Sequence, residues 1–120
     1  LGNEDALLMT GIAHAYIGLD KPEQALPFAA HAYRLLPASG VASDVFGWAL
    51  FKAGRDDLRA LDFARKAEAL APGEPLVKLH LGEALAASGR TVEARVLLRQ
   101  AAATPCFARR AQAQAALNGL

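Results

Sequence analysis

The chain has 120 residues, of which 53% are hydrophobic, 21% are charged and 7% are aromatic, a composition that excludes a disordered chain and fits one small folded domain. The formal charge of +1, from 13 basic and 12 acidic side chains, argues against a dedicated nucleic-acid-binding protein. The single cysteine, Cys106, excludes an internal disulfide and a multi-cysteine metal site. No apolar run approaches the roughly 18–20 residues that a membrane-spanning helix requires.

The order of residues predicts an all-α protein. Alanine and leucine dominate segments that glycine and proline separate, and valine and isoleucine never alternate with polar residues over the length of a strand. Pro22 fits the first turn of a helix, and Gly54 and Gly89 follow helices at the position where a left-handed residue is needed. In chain order, we predict helices over residues 4–18, 22–36, 41–53, 57–71, 75–88 and 91–104.

Small residues recur along the chain at intervals of 34 or 35 positions. Three sets share this period: Ala13, Gly47 and Gly82; Ala25, Ala60 and Ala94; Ala32, Ala67 and Ala101. Pro37 and Pro72 end two units, and Pro105 ends the third one position early. The one extra residue of the middle unit is most simply placed in the turn at residues 55–57.

A period near 34 with small residues in both halves resembles the tetratricopeptide repeat (TPR), in which each unit is a pair of antiparallel helices. The resemblance implies a right-handed superhelical solenoid in a single domain over residues 1–120, with repeats at 6–39, 40–74 and 75–108. Because helices approach to about 8–10 Å only where side chains are small, we expect the first set of small residues to lie between the two helices of a unit. The third set is expected to lie between one unit and the next.

Two features depart from the TPR pattern. The family usually has a large aromatic residue in the middle of each second helix, but Ala29 and Ala64 occupy that position here. We expect Phe28 and Phe63, one residue earlier, to fill the same space. Pro27 lies inside the second predicted helix, where it removes a backbone donor, so we expect a kink or a late helix start there.

Both ends of the chain carry further predictions. Residues 107–118 are expected to form a capping helix whose covering stripe is Phe107, Ala111, Gln114 and Leu117, with Arg109, Arg110, Gln112 and Ala116 largely off it. The chain begins with Leu1 rather than Met, and the apolar residues at positions 6–9 suit contact with an earlier repeat. We therefore expect the chain to be a fragment of a longer protein, or to pair with another chain through this end.

Neither metal-ion nor catalytic chemistry is indicated. The histidines His14, His31 and His80 lack the spacing of a zinc site, which favours solvated or hydrogen-bonded side chains. Cys106 has no base beside it in sequence, and we expect it to be a small residue in a helix–helix corner. A nucleophile elbow and a glycine-rich phosphate loop are absent from the sequence. The sequence predicts a protein without enzymatic activity, cofactor or metal.

Function in TPR proteins comes from the groove that the first helices line, and the resemblance implies a protein or peptide ligand there. The groove residues carried over from the family are Thr10, His14, Ile17, Asp44, Trp48, Phe51, Lys52, Leu79, His80 and Glu83, with His80 at the edge. Trp48 is the only tryptophan, and both a groove anchor and an inter-repeat core residue fit its position. Asp44 would repel a carboxylate, which argues against binding of a carboxy-terminal tail.

The distribution of charge leaves a second interaction open. Residues 1–51 carry a net charge of −3 (two basic, five acidic) and residues 52–120 a net charge of +4 (eleven basic, seven acidic). Five arginines make the carboxy-terminal end basic: Arg90, Arg95, Arg99, Arg109 and Arg110. A solvated face, an acidic partner and an anionic polymer all fit this pattern.

Two functional hypotheses follow. The first is an interaction scaffold that binds a peptide or helix in its groove. The second is a structural segment that self-associates or docks through its amino-terminal end. Segments 44–54, 71–85 and 107–117 also resemble the last repeats of bacterial envelope TPR proteins, including those that accompany exopolysaccharide and PEP-CTERM export systems. This resemblance implies a periplasmic or lipoprotein scaffold.

Overall fold

The computed structural model describes residues 2–120, and over that range it contains seven α-helices and no strand. Their bounds are α1 Gly2–Gly18, α2 Pro22–Leu35, α3 Gly40–Lys52, α4 Asp57–Leu70, α5 Pro75–Ala87, α6 Thr91–Ala102 and α7 Arg110–Asn118. The chain divides into two compact units, one up to Ala71 with α1–α4 and one from Pro72 onward with α5–α7. None of the helices described here is long and apolar enough to cross a membrane.

The prediction of an all-α protein is confirmed, and the first six helices begin and end within two residues of the predicted positions. Gly54 and Gly89 follow α3 and α5 with φ angles of 68° and 79°, the left-handed conformation that glycine adopts without strain. The turn after α3 has four residues, 53–56, whereas the turns at 19–21 and 88–90 have three. The extra residue of the middle unit therefore lies where the sequence placed it.

Close backbone contact joins α3 to α4 in the first unit. A Cβ atom on Gly47 would lie 3.0 Å from the Ala60 carbonyl oxygen and 3.1 Å from the Ala64 nitrogen. In the second unit, a Cβ atom on Gly82 of α5 would lie 2.8 Å from the side chain of Leu98 on α6. These distances confirm the prediction for Gly47 and Gly82, which lie between the paired helices of their units: an added Cβ would meet backbone atoms at Gly47 and the Leu98 side chain at Gly82.

Aromatic side chains fill the remaining space of the first unit. Phe28 stacks on Tyr16 with ring centroids 5.8 Å apart, and Phe63 meets Tyr33 at 4.9 Å and Phe46 at 4.7 Å. These separations lie in the range where aromatic pairs attract one another beyond their buried area. The prediction that Phe28 and Phe63 take over the filling role is confirmed.

The helix α2 runs from Pro22 through Pro27 to Leu35, so the expected late start is wrong. Pro27 has no N–H to donate to the carbonyl of Glu23, one turn earlier. Both residues are exposed, so water can satisfy the carbonyl that Pro27 leaves unbonded. The helix consequently continues without a break.

The last helix differs from its prediction. It begins at Arg110 rather than at residue 107, because Cys106 has a φ angle of 61° and Phe107 lies in the turn that follows. The expected covering stripe is wrong at Ala111 and Gln114, which are exposed, whereas Ala113 is fully buried. Cys106 lies between α6 and α7, at the expected corner, but its side chain is exposed there.

Replacing Gly47 with alanine should lower the free energy of unfolding by about 1–3 kcal/mol, because the added methyl group meets backbone atoms that cannot move aside. The matched control is Gly11→Ala in α1, where a Cβ atom would meet nothing within 4 Å. That change should raise the free energy of unfolding by about 0.5–1 kcal/mol through helix propensity. Urea denaturation measures both, and equal effects at the two sites would contradict the close approach of α3 to α4.

Replacing Ser43 with alanine should raise the free energy of unfolding by about 1 kcal/mol. Ser43 in α3 is fully buried, and its Oγ has no hydrogen-bond partner in the described part of the chain. The control is Ser88→Ala, which removes a hydroxyl that donates to the Ala84 carbonyl at 2.9 Å and should not stabilise. A loss of stability in Ser43→Ala would show that the hydroxyl has a partner in solution.

Candidate functional site

Three of the residues assigned to the groove from sequence are buried in the first unit. Thr10 on α1 is 7% exposed, and Asp44 and Trp48 on α3 are 4% and 6% exposed. Ser39 fixes the start of α3, because its side chain accepts a hydrogen bond from the Ala42 N–H at 3.2 Å. These three side chains therefore lie mainly in the packed interior of the first unit.

The carboxy-terminal half of α3 brings three groove residues together. The rings of Trp48 and Phe51 stack with centroids 5.3 Å apart, and Lys52 Nζ lies 5.5 Å from the centre of the Trp48 ring. The spacing of three and four residues places these side chains on one face of the helix. Phe51 is half-buried and Lys52 is exposed, so a cation and an aromatic edge reach the surface above a buried indole.

The helix α1 contributes two accessible side chains to this region. His14 and Ile17 are half-buried. Ile17 and Phe51 are 34 positions apart, and both pack against the same buried cluster, which includes Ala13 and Leu50. We call the four residues His14, Ile17, Phe51 and Lys52 the α1–α3 surface.

The second unit holds the other three groove residues, all on α5. Leu79 and His80 are buried. Glu83 is half-buried, and its Oε1 accepts a hydrogen bond of 3.0 Å from Nε2 of Gln112 on α7. The carboxylate of Glu83 therefore already has a partner within its own unit.

Sequence reasoning missed the role of Gln112, because it placed this residue largely off the covering stripe of the last helix. A signal was present in the period of small residues. The series Ala13, Gly47 and Gly82 continues after 34 positions at Ala116, which marks α7 as equivalent to the first helix of a unit. A first helix in that position contacts the neighbouring first helix, which is where Glu83 lies.

The basic carboxy-terminal end contains arginines with partners and arginines that face solvent. Arg90 lies 3.9 Å from Glu93, and Arg110 Nε donates to the Ala102 carbonyl oxygen at 3.1 Å. Arg99 and Arg109 are exposed. Among the residues that the structure describes, no three histidine, cysteine, aspartate or glutamate side chains form a group that could hold a metal ion.

Comparison with solved structures identifies the architecture. The TPR domain of OM64 from Arabidopsis superposes with a TM-score of 0.78 at 19% identity, covering 99% of this chain and 98% of that one. The type III secretion translocator chaperone SycD of Yersinia enterocolitica superposes with a TM-score of 0.75, also at 19% identity, covering 96% of this chain and 89% of that one.

At this identity the likeness extends to the fold alone. No protein-family model matches the sequence, and the search of curated proteins gives no match. Neither of these two structures is described as an exopolysaccharide or PEP-CTERM protein, so the expected link to those systems stays a prediction. The fold itself is shown: the chain is an all-α helical-repeat protein with the architecture of a TPR domain.

Proposed function

We propose that this protein is a non-enzymatic scaffold that binds a peptide or a helix on the α1–α3 surface. The observation that carries the proposal is the arrangement of Phe51 and Lys52 above the buried ring of Trp48. An aromatic edge beside a fixed cation is a typical anchor point of protein interfaces.

The surface is formed before any ligand arrives. Phe51 is held by stacking on Trp48, and Ile17 is held against the buried cluster of the first unit. Binding to such a surface requires little ordering of side chains, which leaves more of the contact energy for affinity. Lys52 is exposed beside the apolar pair and favours a ligand that carries an acidic group next to a large apolar side chain.

The similarity to a TPR domain and to a chaperone supports a protein or a peptide as the class of partner. The α5 residues are not part of the proposed contact set, because Leu79 and His80 are buried and Glu83 is bonded to Gln112. Trp48 is buried, and its ring contacts both Phe51 and Lys52. The envelope location that the sequence suggests stays a prediction and does not enter this proposal.

Peptides selected from a random library on the intact protein should bind Phe51→Ala at least about tenfold more weakly than they bind the original protein. The variant removes the apolar contact but leaves α3 in place, which circular dichroism checks. The control is Leu58→Ala, which removes a large apolar side chain that is 75% exposed on α4. Calorimetric titration measures the affinities, and equal losses in both variants would contradict the proposed surface.

Lys52→Glu provides a second variant at an exposed position, where folding should be unaffected. Reversing the charge should weaken binding of acidic selected peptides by about tenfold or more and should shift a repeated selection toward basic peptides. Arg34→Glu, an exposed charge reversal on α2 outside the surface, serves as the control. Selection of the same acidic peptides by Lys52→Glu would show that the ligand lies elsewhere.

The single tryptophan reports on binding directly. Trp48 is buried, so its fluorescence maximum should lie closer to that of indole in a non-polar solvent than in water. A selected peptide should change this emission because it covers Phe51 and Lys52, which contact the indole ring. Saturable binding with no change in emission, measured with unselected peptides as controls, would place the ligand away from this surface.

A further inference from the structure

The helix α1 presents an apolar face that no described residue covers. Leu8 is 58% exposed, with the exposed Ala15 two turns further along the same line of the helix, and Leu7 beside this line is 67% exposed. Leu19, in the turn directly after α1, is 66% exposed. This line lies on the opposite side of α1 from Ala13, which is fully buried. Exposed leucines in a continuous patch of this kind are typical of an interaction site.

The corresponding face of the next hairpin shows what such a surface contacts. Leu8, Gly11 and Ala15 of α1 correspond to the residues 34 positions later in α3, which are Ala42, Val45 and Ala49. These three α3 residues are all buried. Val45 and Ala49 lie in one buried cluster with Ala25 and Ala29 of α2. The face that α1 exposes is therefore one that, in α3, packs against neighbouring helices.

We propose that the α1 face binds the α1 face of a second copy of this chain, with the two helices antiparallel. Within α1, Leu7 and Leu8 lie in the first half, and the small residues Ala15 and Gly18 lie in the second half. An antiparallel arrangement places Leu8 of one copy over Ala15 of the other, so this large side chain meets a small one at both ends of the contact. The contact repeats by two-fold symmetry and closes as a dimer.

Charge supports the same arrangement. Glu4 and Asp5 lie in the first turn of α1, and Lys21 follows its end; all three are exposed. Antiparallel packing places the acidic first turn of one helix beside the basic end of the other. It also places the positive end of each helix dipole beside the negative end of the other, which is favourable. In the first unit α2 packs against α3, and in the second unit the equivalent helix α6 packs against α7. The side of α6 that a head-to-tail stack would use is therefore already covered, which disfavours that arrangement.

Sedimentation equilibrium from about 1 µM to 1 mM tests the proposal on the intact chain, since one helix pair is a small interface and micromolar dissociation is expected. Leu8→Glu should raise the dissociation constant at least about tenfold. The control is Leu58→Glu on α4, where the leucine is 75% exposed and no change is expected. A monomer at every concentration, or equal effects of the two variants, would overturn the proposal.

A charge exchange tests the direction of the helices. Lys21→Glu alone and the pair Glu4→Lys with Asp5→Lys should each weaken the dimer about tenfold, because each places like charges opposite one another. Combining all three changes should restore the original affinity. Additive weakening in the combined variant would overturn the antiparallel pairing, and the groove variants Phe51→Ala and Lys52→Glu should leave dimer formation unchanged.

Discussion

Contact between the backbones of paired helices is the constraint on which the rest of this structure depends. At Gly47 the two helices α3 and α4 come so close that even a methyl group would lie 3.0 Å from a carbonyl oxygen. At that separation the neighbouring rows of side chains must interlock, which fixes the rotation of each helix about its axis. The rotation of α3 in turn decides that Phe51 and Lys52 reach the surface while Val45 and Ala49 do not.

The rotation of each first helix also determines which of the groove positions implied by the TPR resemblance are buried and which are exposed. Thr10, Asp44 and Leu79, one position of three successive units, are all buried, and so is Ala113 at the equivalent place in α7. In contrast, Ile17 and Phe51, seven residues further along their helices, keep part of their surface. In α1 and α3, the accessible part of the predicted groove therefore lies toward the carboxy-terminal end of each helix.

Helix positions and pairing could be predicted from sequence because they depend on local chemistry and on a period. Glycine at a left-handed position ends α3 and α5, and the intervals of 34 or 35 residues identify the pairs. The start of α7 could not be predicted, because Cys106 adopts a positive φ that is unusual for a residue with a side chain. The hydrogen bond between Gln112 and Glu83 was missed because the predicted covering stripe of that helix left Gln112 out.

Exposure, unlike helix position, is not repeated from unit to unit. Leu8 and Ala42 are equivalent by the 34-residue shift, yet Leu8 is exposed and Ala42 is buried, because α2 packs against α3 whereas no described residue covers this face of α1. The residue types follow this difference: the exposed line of α1 keeps leucines beside small residues, whereas α3 has valine and alanine at the buried positions. The period in the sequence thus identifies equivalent helix faces. Whether such a face is buried or open to a partner depends on whether a neighbouring helix covers it.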